Sequence, residues 1–417
     1  MINAIVVRFK YCTVLLIVLL CCASTTVCAQ QYFEIAKQKK RAFVPFRLLR
    51  DMMVVKLTIN GKGPFNFILD SGVGVMIITE PTLVDSLNIL NKRLIKISGL
   101  GDNQDFDAYV TSSLKVTMAD GIESNDISAA IFTKDHFGLS NYAGIPIHGL
   151  LGYEFFNSFA VRINFDDTTI TVGAPKDIRT FRRGSKLPIT VEERKPYITT
   201  KVLLPNGTPT ESKLIVDLGA GHPISLENLV SENKGLPDRF IAANLGMGLT
   251  GPISGYLSRI GEVDLGKYKL KNVIASFPDF VTKKNDTLSV KRDGNLGIDI
   301  LKRFNLIIDY QSGVMYVKPN LSFYKPFEHD MSGLEYFCGG DNLKHIVINR
   351  VEKGSAGDEI GLAKGDEIVR INFKSVQDMS IEEIDNIFKA HDERSVLLDV
   401  YRNGVYDRLI LTLKRRI

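Results

Sequence analysis

Cysteine is scarce in this 417-residue chain, and its few copies are unevenly placed. Four of the five cysteines fall within the first 28 residues, which leaves Cys338 alone in the rest of the sequence. If the first segment is removed, no internal disulfide can form, so we expect the fold to depend on its hydrophobic core. A chain of this size without disulfides is more typical of the bacterial envelope than of small secreted eukaryotic domains.

Several site signatures are also missing from the sequence. It has no HExxH pair and no paired Cys/His spacing, so we expect neither a metal site nor a cofactor. It has no GxSxG nucleophile elbow and no phosphate loop. The net charge is +5, but no basic tract is interleaved with aromatic residues, which argues against nucleic acid as a partner.

Residues 1–29 predict a cleaved signal peptide. Arg8 and Lys10 precede an apolar run from residue 13 to residue 23, and small residues at 27–29 suit a signal peptidase. This run is short for the ~30 Å hydrocarbon core of a bilayer, so an uncleaved membrane anchor is the less favoured alternative. We therefore predict export to the bacterial periplasm, to the cell envelope or out of the cell.

Two segments of the chain match each other without gaps. FILDSGVGVMIIT covers residues 67–79, and LIVDLGAGHPISL covers residues 214–226. Each is an apolar strand that ends in an aspartate, Asp70 or Asp217, and continues with x-Gly-x-Gly and a second apolar stretch. Asp217 lies 147 residues after Asp70, so the match predicts two similar lobes that pack around a pseudo-two-fold axis.

Two further matches support this duplication. The segments that begin with Gly149 and Gly294 start 79 and 77 residues after their aspartates, and each predicts a short helix leading into two strands. A pair of glycines recurs 29 and 31 residues after each aspartate, which predicts an equivalent mobile hairpin in both lobes. These pairs are Gly99 with Gly101, and Gly246 with Gly248.

Asp70 and Asp217 each end an apolar run, where a carboxylate is costly unless it is hydrogen-bonded or functional. The glycines that follow let backbone N–H groups approach the carboxylate. If the pseudo-axis runs between the lobes, the two carboxylates meet there. Two like charges about 3 Å apart cannot both ionise, so the pair would hold one proton. The charged acid can then act as general base on a water molecule while the neutral acid donates to a carbonyl.

These motifs resemble the pepsin/retropepsin clan of aspartic peptidases. The carriers of the resemblance are Asp70-Ser71-Gly72, Asp217-Leu218-Gly219-Ala220, and the later segments Leu150-Leu151-Gly152 and Asn295-Leu296-Gly297. Two glycine hairpins, where pepsin has one flap, make the chain similar to the retropepsin branch with both lobes fused. The resemblance implies an all-β, two-lobed acid-protease fold of double-psi barrel type.

The resemblance also implies roles for single residues. Asp70 and Asp217 would be the catalytic acids, and the glycine hairpins would close over a polypeptide substrate. The supporting residues would be Ser71, Gly72, Leu218 and Gly219. In the family, a Thr or Ser after each aspartate sends its hydroxyl to the backbone of the opposite lobe. Leu218 has no hydroxyl, so a catalytically impaired peptide-binding scaffold stays open as the alternative.

A new pattern follows residue 320. Gly-Ser-Ala at 354–356, Gly-Leu at 361–362 and Gly-Asp at 365–366 resemble a PDZ domain, a small β-sandwich or barrel with two helices. Such domains capture an extended peptide as an added strand and bind its terminal carboxylate through backbone N–H groups. By this resemblance Gly333 and Leu334 belong to the carboxylate loop and Tyr336 to the groove strand, although core packing alone would also explain Leu334 and Tyr336.

The sequence thus predicts four segments. They are a signal peptide at 1–29, protease lobe 1 at 30–178, protease lobe 2 at 179–320 and a PDZ domain at 321–417. The predicted function is an aspartic endopeptidase, with a monomeric protease part and a PDZ domain that binds the C-terminal peptide of a partner or substrate. His148, His222 and Cys338 are interpreted as structural residues.

Overall fold

The computed structural model describes residues 32–417 except residues 90, 98–105, 205, 228–236, 238, 249–250 and 280–289. The predicted signal peptide therefore lies outside the described residues. The chain from residue 32 to residue 417 forms one compact unit that is built mainly of β-strands. None of the helices among the described residues is long and apolar enough to cross a membrane.

Lobe 1, here residues 32–178, combines long strands with short helices. Its strands are β1 (Glu34–Ile35), β2 (Arg41–Pro45), β3 (Arg47–Leu49), β4 (Met52–Ile59), β5 (Lys62–Leu69), β6 (Met76–Ile78), β7 (Lys92–Ile97), β8 (Phe106–Met118), β9 (Ile122–Phe132), β10 (Gly149–Leu151), β11 (Ala160–Asn164) and β12 (Thr169–Gly173). Its helices are α1 (Leu83–Ser86), α2 (Leu139–Ala143) and α3 (Tyr153–Ser158).

Lobe 2, residues 179–320, repeats this succession of elements. Its strands are β13 (Ser185–Pro188), β14 (Thr190–Glu192), β15 (Lys195–Leu203), β16 (Pro209–Asp217), β17 (Ile224–Leu226), β18 (Phe240–Gly248), β19 (Gly251–Leu265), β20 (Tyr268–Pro278), β21 (Gly294–Gly297), β22 (Phe304–Asp309) and β23 (Val314–Pro319). Helix α4 (Ile298–Leu301) also belongs to the described part of this lobe.

The C-terminal module, residues 321–417, has its own sheet and core. Its strands are β24 (Leu334–Gly339), β25 (His345–Val351), β26 (Glu367–Ile371), β27 (Lys374–Ser375), β28 (Ser395–Arg402) and β29 (Val405–Thr412), and its helices are α5 (Ala356–Glu359) and α6 (Ile381–Phe388). The sheet runs β24-β25-β26-β28-β29, with β27 added to β26. Helix α6 begins with a capping box between Ser380 and Glu383, and it buries Ile384 and Phe388 in the module core.

The matched segments of the sequence occupy equivalent places in the two lobes. Strand β10 runs parallel to β5 and pairs Leu151 with Leu69, directly before Asp70. Strand β21 runs parallel to β16 and pairs Gly297 with Asp217. The apolar residues that precede both aspartates are buried, as expected for strands covered on both faces.

Each later glycine motif allows a close crossing of two backbones. A Cβ atom on Gly152 would lie 2.5 Å from the carbonyl oxygen of Asp70, and one on Gly297 would lie 1.9 Å from that of His222. No side chain fits at either position without moving the backbone. The glycines therefore let β10 and β21 hold the aspartate loops from below.

A six-stranded sheet joins the two lobes. Its order is β13-β23-β22-β11-β12-β2, so three strands come from each lobe. The junction is the antiparallel pair β11–β22, in which Val161 faces Ile308 and Ile163 faces Leu306. All four side chains are buried. The expected all-β fold, with barrel-like sheets in two lobes and a C-terminal β module, is confirmed.

Candidate active site

Asp70 and Asp217 lie at the contact between the lobes. A Cβ atom on Gly72 would lie 2.9 Å from Asp217 Oδ1, and one on Gly219 would lie 2.1 Å from Asp70 Oδ2. Each aspartate loop therefore packs its glycine against the carboxylate of the other lobe. The two carboxylates are close enough to hydrogen-bond, and only 8% of Asp70 is exposed.

This environment disfavours the charged form of Asp70. Burial raises the pKa of Asp70 well above its ordinary value, and the neighbouring charge of Asp217 raises it further. The N–H of Gly72, which donates to Asp70 Oδ1 over 2.7 Å, opposes this shift without cancelling it. The site therefore favours the neutral form of Asp70 over the charged form.

The hydrogen bonds around the pair are unequal. Asp217 Oδ1 accepts from the N–H groups of Gly219 (3.0 Å) and Ala220 (3.1 Å), and Oδ2 accepts from Asn295 Nδ2 (2.7 Å). Among the described residues, Asp70 has one such main-chain donor, Gly72. Hydrogen bonds to a carboxylate stabilise its charged form. The hydrogen bonds of the site therefore favour a negative charge on Asp217 over one on Asp70.

Ser71 ties the two lobes together from below. Its hydroxyl donates to the carbonyl oxygen of Val216 (2.6 Å) and accepts from the N–H of Leu218 (3.0 Å), and the side chain is fully buried. Leu218 occupies the matching position in lobe 2, is also fully buried and packs in the common hydrophobic core. The hydroxyl bridge predicted for Ser71 is thus formed on one side, while its counterpart is replaced by apolar packing.

Asn295 was not predicted as a site residue. It lies in the motif Asn295-Leu296-Gly297, whose lobe 1 counterpart is Leu150-Leu151-Gly152. The amide replaces a leucine at a position whose side chain donates a hydrogen bond to Asp217. This difference between two otherwise matched motifs was the signal available in the sequence.

Lys195 and Tyr310 were also not predicted as site residues, and both interact electrostatically with the two aspartates. Burial and the charge of Arg292 lower the pKa of Lys195, against the attraction of Asp217 and Asp70. Burial raises the pKa of Tyr310 well above its ordinary value, and Asp70 adds to that rise. Neither position is marked by a motif, so only the three-dimensional arrangement identifies them.

The hydrogen bonds of the described residues do not join either of the two histidines near the motifs to the carboxyl pair. His148 accepts the N–H of Asn66 at Nδ1 (3.2 Å). Burial lowers the pKa of His222, and its Nε2 has no hydrogen-bond partner among the described residues. Both imidazoles are therefore disfavoured as cations.

One of the two predicted glycine pairs lies on a described hairpin. Gly99 and Gly101 lie outside the described residues, between β7 and β8, which pair antiparallel. Gly246 and Gly248 lie near the tip of the β18–β19 hairpin, where Gly248 pairs with Gly251 and a bulge interrupts the register after Asn244. Gly246 has a φ of +122°, which few residues other than glycine adopt.

The residues predicted to bind a peptide lie along one edge of the C-terminal module. Gly333, with a φ of +73°, donates its N–H to Asp330 Oδ1 (2.8 Å). Leu334 and Tyr336 are both buried, and the Tyr336 hydroxyl is hydrogen-bonded to Asp385 of α6. Strand β24 and helix α6 thus form the two walls of a groove.

Comparison with known families agrees with both parts of this architecture. A family model described as an aspartyl protease matches residues 55–155, and one described as a PDZ domain matches residues 347–402. No curated protein matches the chain. The first match includes Asp70 but ends before Asp217, so the second half of the site rests on the geometry above. The predicted combination of a pepsin/retropepsin-like domain with a PDZ domain is confirmed.

Proposed function

The chain combines an aspartyl protease domain with a PDZ domain, and we propose that it is an endopeptidase. A substrate peptide bond would be hydrolysed in the site formed by Asp70 and Asp217. The observation that carries this proposal is the meeting of two carboxyls from different lobes, where burial and the charge of Asp217 raise the pKa of Asp70. Their environments are unequal in the way that acid–base catalysis requires. The substrate class is an extended polypeptide that lies between the lobes.

The unequal hydrogen bonds assign the two roles. The Asp217 carboxylate accepts a proton from a water molecule, whose oxygen attacks the carbonyl carbon of the scissile amide. Asp70 donates its proton to the carbonyl oxygen, which gives a tetrahedral diol. Asp217 then passes the proton it took from water to the amide nitrogen, Asp70 takes a proton back from a diol hydroxyl, the C–N bond breaks, and a carboxylic acid and an amine leave. Gly72 and Gly219 orient the acids, and the hairpin with Gly246 would exclude bulk water.

The PDZ domain supports a second binding event. We assign to it the capture of a substrate or partner by an extended C-terminal segment, through Gly333, Leu334 and Tyr336. Location in the bacterial envelope or outside the cell is also part of the proposal, and it rests on the sequence of residues 1–29. Identification of the mature N-terminus in a secreting bacterial host tests this part.

A cleavage assay tests the proposed activity. The purified protein is incubated with an unfolded protein between pH 3 and pH 8, and the products are identified by mass spectrometry. We expect new termini inside the substrate and a bell-shaped pH profile, because one of two carboxyls must be charged and the other neutral. A peptide with a secondary alcohol in place of the scissile amide should compete, since it imitates the tetrahedral diol. No cleavage at any pH would favour the peptide-binding scaffold.

Asn295→Leu, which copies the lobe 1 residue Leu150, is expected to shift the acid limb of the pH profile. Removing the 2.7 Å hydrogen bond to Asp217 Oδ2 destabilises the catalytic anion, so a higher pH is needed to form it. We expect the acid limb of kcat/KM to move up by about one pH unit, since the anion loses one of three donors.

Asn320→Leu is the matched control for this prediction. It removes an amide of the same lobe that donates to the carbonyl oxygen of Lys302 (2.8 Å), away from the aspartates. This variant should lose some stability and keep the wild-type pH profile. Equal acid limbs in both variants would show that Asn295 does not stabilise the catalytic anion.

A further inference from the structure

The groove strand of the PDZ domain has its outer edge turned towards lobe 1. Strand β24 is the edge of its sheet and pairs with β25, with Tyr336 opposite Ile348. The N–H and C=O of Ile348 are directed to Asp366 and Gly365, away from β24. In an antiparallel pair, two directly opposed residues either both hydrogen-bond to each other or both direct their N–H and C=O groups away from each other. The carbonyl oxygen of Tyr336 therefore belongs to the free edge, where a ligand strand would pair.

That edge is already occupied by a side chain of the protease. Arg50, at the tip of the β3–β4 hairpin, donates through Nη1 to the carbonyl oxygen of Tyr336 (3.3 Å). Its Nε and Nη2 form a bidentate pair with Asp385 of α6, at 2.9 Å and 2.7 Å. The Arg50 guanidinium also lies 4.6 Å and 4.7 Å from the ring centres of Tyr142 and Tyr336. Arg50 thus spans the groove from wall to wall.

A second segment of lobe 1 continues this contact along the strand. Asn141 Nδ2 donates to the carbonyl oxygen of Cys338 (2.8 Å), the next free acceptor of β24. Gly144, which follows α2, lies so close that a Cβ on it would be 3.0 Å from the sulfur of Cys338. The two edge carbonyls would accept hydrogen bonds from the N–H groups of a ligand strand. They already accept hydrogen bonds from side chains of lobe 1.

The carboxylate loop is also satisfied from within. The N–H groups of Ser332 and Gly333 donate to Asp330 Oδ1, at 3.0 Å and 2.8 Å. The N–H of Leu334 donates to the Ser332 hydroxyl (3.1 Å). Gly333 and Leu334, the two residues assigned to this loop, can therefore bind a peptide carboxylate only after their N–H groups leave Asp330 and Ser332.

We propose that the PDZ groove is held closed by lobe 1 through Arg50, and that it opens to an extended peptide whose own basic side chain replaces Arg50 at Asp385. This proposal rests on peptide capture by the PDZ domain and adds its regulation and its specificity. A basic side chain is required because removal of Arg50 leaves the largely buried Asp385 carboxylate without its cation. A neutral peptide would gain hydrogen bonds to the two edge carbonyls of β24, but it would leave Asp385 without an ion pair.

Cys338 reports directly on opening of the groove, because its thiol is buried under Gly144. Alkylation of Cys338 by iodoacetamide is followed by mass spectrometry of the full-length protein after digestion. We expect Arg50→Ala to accelerate alkylation about 30-fold or more, since truncating one partner of a buried charge pair strongly favours separation. Asp385→Ala should act alike, and the double variant should not exceed the faster single variant.

The control is Lys39→Ala, which removes an exposed ion pair with Asp120 elsewhere on lobe 1. It should leave alkylation of Cys338 at the wild-type rate. Thermal unfolding of each variant separates opening of the groove from loss of the fold. Equal alkylation of folded Arg50→Ala and Lys39→Ala would overturn the proposal.

Peptide binding tests the specificity without any need for cleavage. A pool of randomised octapeptides with free C-terminal carboxylates is passed over immobilised protein that carries Asp70→Asn, with and without Arg50→Ala. We expect at least 10-fold more retention on the Arg50→Ala protein, with arginine and lysine enriched, and loss of that enrichment in Asp385→Asn. Equal retention with and without Arg50 overturns the occlusion, and enrichment of neutral peptides overturns the assigned specificity.

Discussion

Asp70→Asn and Asp217→Asn are each expected to lower kcat/KM by about 10³ or more, because each removes one half of a general acid–base pair. Their effects on stability should differ. Burial raises the pKa of Asp70, so the fold favours the neutral acid. The stability contributed by that acid is present below the unfolded-state pKa, and it is lost as the pH rises through the folded-state pKa.

Asparagine cannot ionise, so Asp70→Asn should be more stable than the wild type at pH 8, and the difference should shrink towards pH 3. Asp217→Asn exchanges a carboxylate that accepts three hydrogen bonds for an amide with one acceptor, and the Asn295 Nδ2 donor then faces an NH₂ group. We expect this variant to be less stable than Asp70→Asn at pH 8. Urea unfolding at several pH values measures both effects.

The two assays test separate statements. Cleavage that survives in either variant would exclude the carboxyl pair as the catalytic centre. Equal unfolding free energies for the two folded variants at pH 8 would contradict the unequal roles, while the pairing of the carboxyls could still stand. The double variant Asp70→Asn with Asp217→Asn should cut no better than the weaker single variant, because the two acids act as a unit.

Ser71→Ala is expected to lower the free energy of unfolding by about 2–5 kcal/mol, because it leaves a buried acceptor and a buried donor without partners. The acceptor is the carbonyl oxygen of Val216, and the donor is the N–H of Leu218. We expect no compensation for this loss of unfolding free energy, because Leu218 has no hydroxyl that could form an equivalent hydrogen-bonded bridge to lobe 1. Urea unfolding and cleavage rates measure the effect together.

Ser71→Thr serves as the control for the hydroxyl, since it keeps the donor and the acceptor and adds one methyl group. It should retain most of the activity. If Ser71→Ala is as stable as the wild type, the bridge is not a structural tie. If stability falls while kcat/KM is unchanged under conditions where the variant is fully folded, the bridge holds the lobes together without aligning the acids.

Much of the site was predictable because its motif occurs twice in the sequence. The gapless match of residues 67–79 with 214–226 predicted two aspartates in equivalent places, and a pseudo-two-fold axis predicted their meeting. The later glycines were predictable as a recurrent motif, although their reason, the crossing of two backbones, is visible only in the fold. Repetition carried the prediction further than any single motif could.

The residues that were missed are those that break the repeat or join distant segments. Asn295 replaces a leucine within a matched motif, so similarity between the two lobes does not mark it. Arg50 meets Asp385 across 335 positions of sequence, and neither residue belongs to a motif. Such a contact depends on how the PDZ domain is placed against lobe 1, and local patterns hold no information about that placement.

The sheet shared by both lobes has a consequence for synthesis. Strand β11 obtains its partner β22 only after about 145 further residues have emerged, roughly 7–30 s later at 5–20 residues per second. During that interval the nascent chain presents an apolar edge at Val161 and Ile163, which is a template for pairing with another copy. The rate at which the chain emerges, from the ribosome or from an export channel, and its capture by chaperones thus help to decide how much of it reaches the native state.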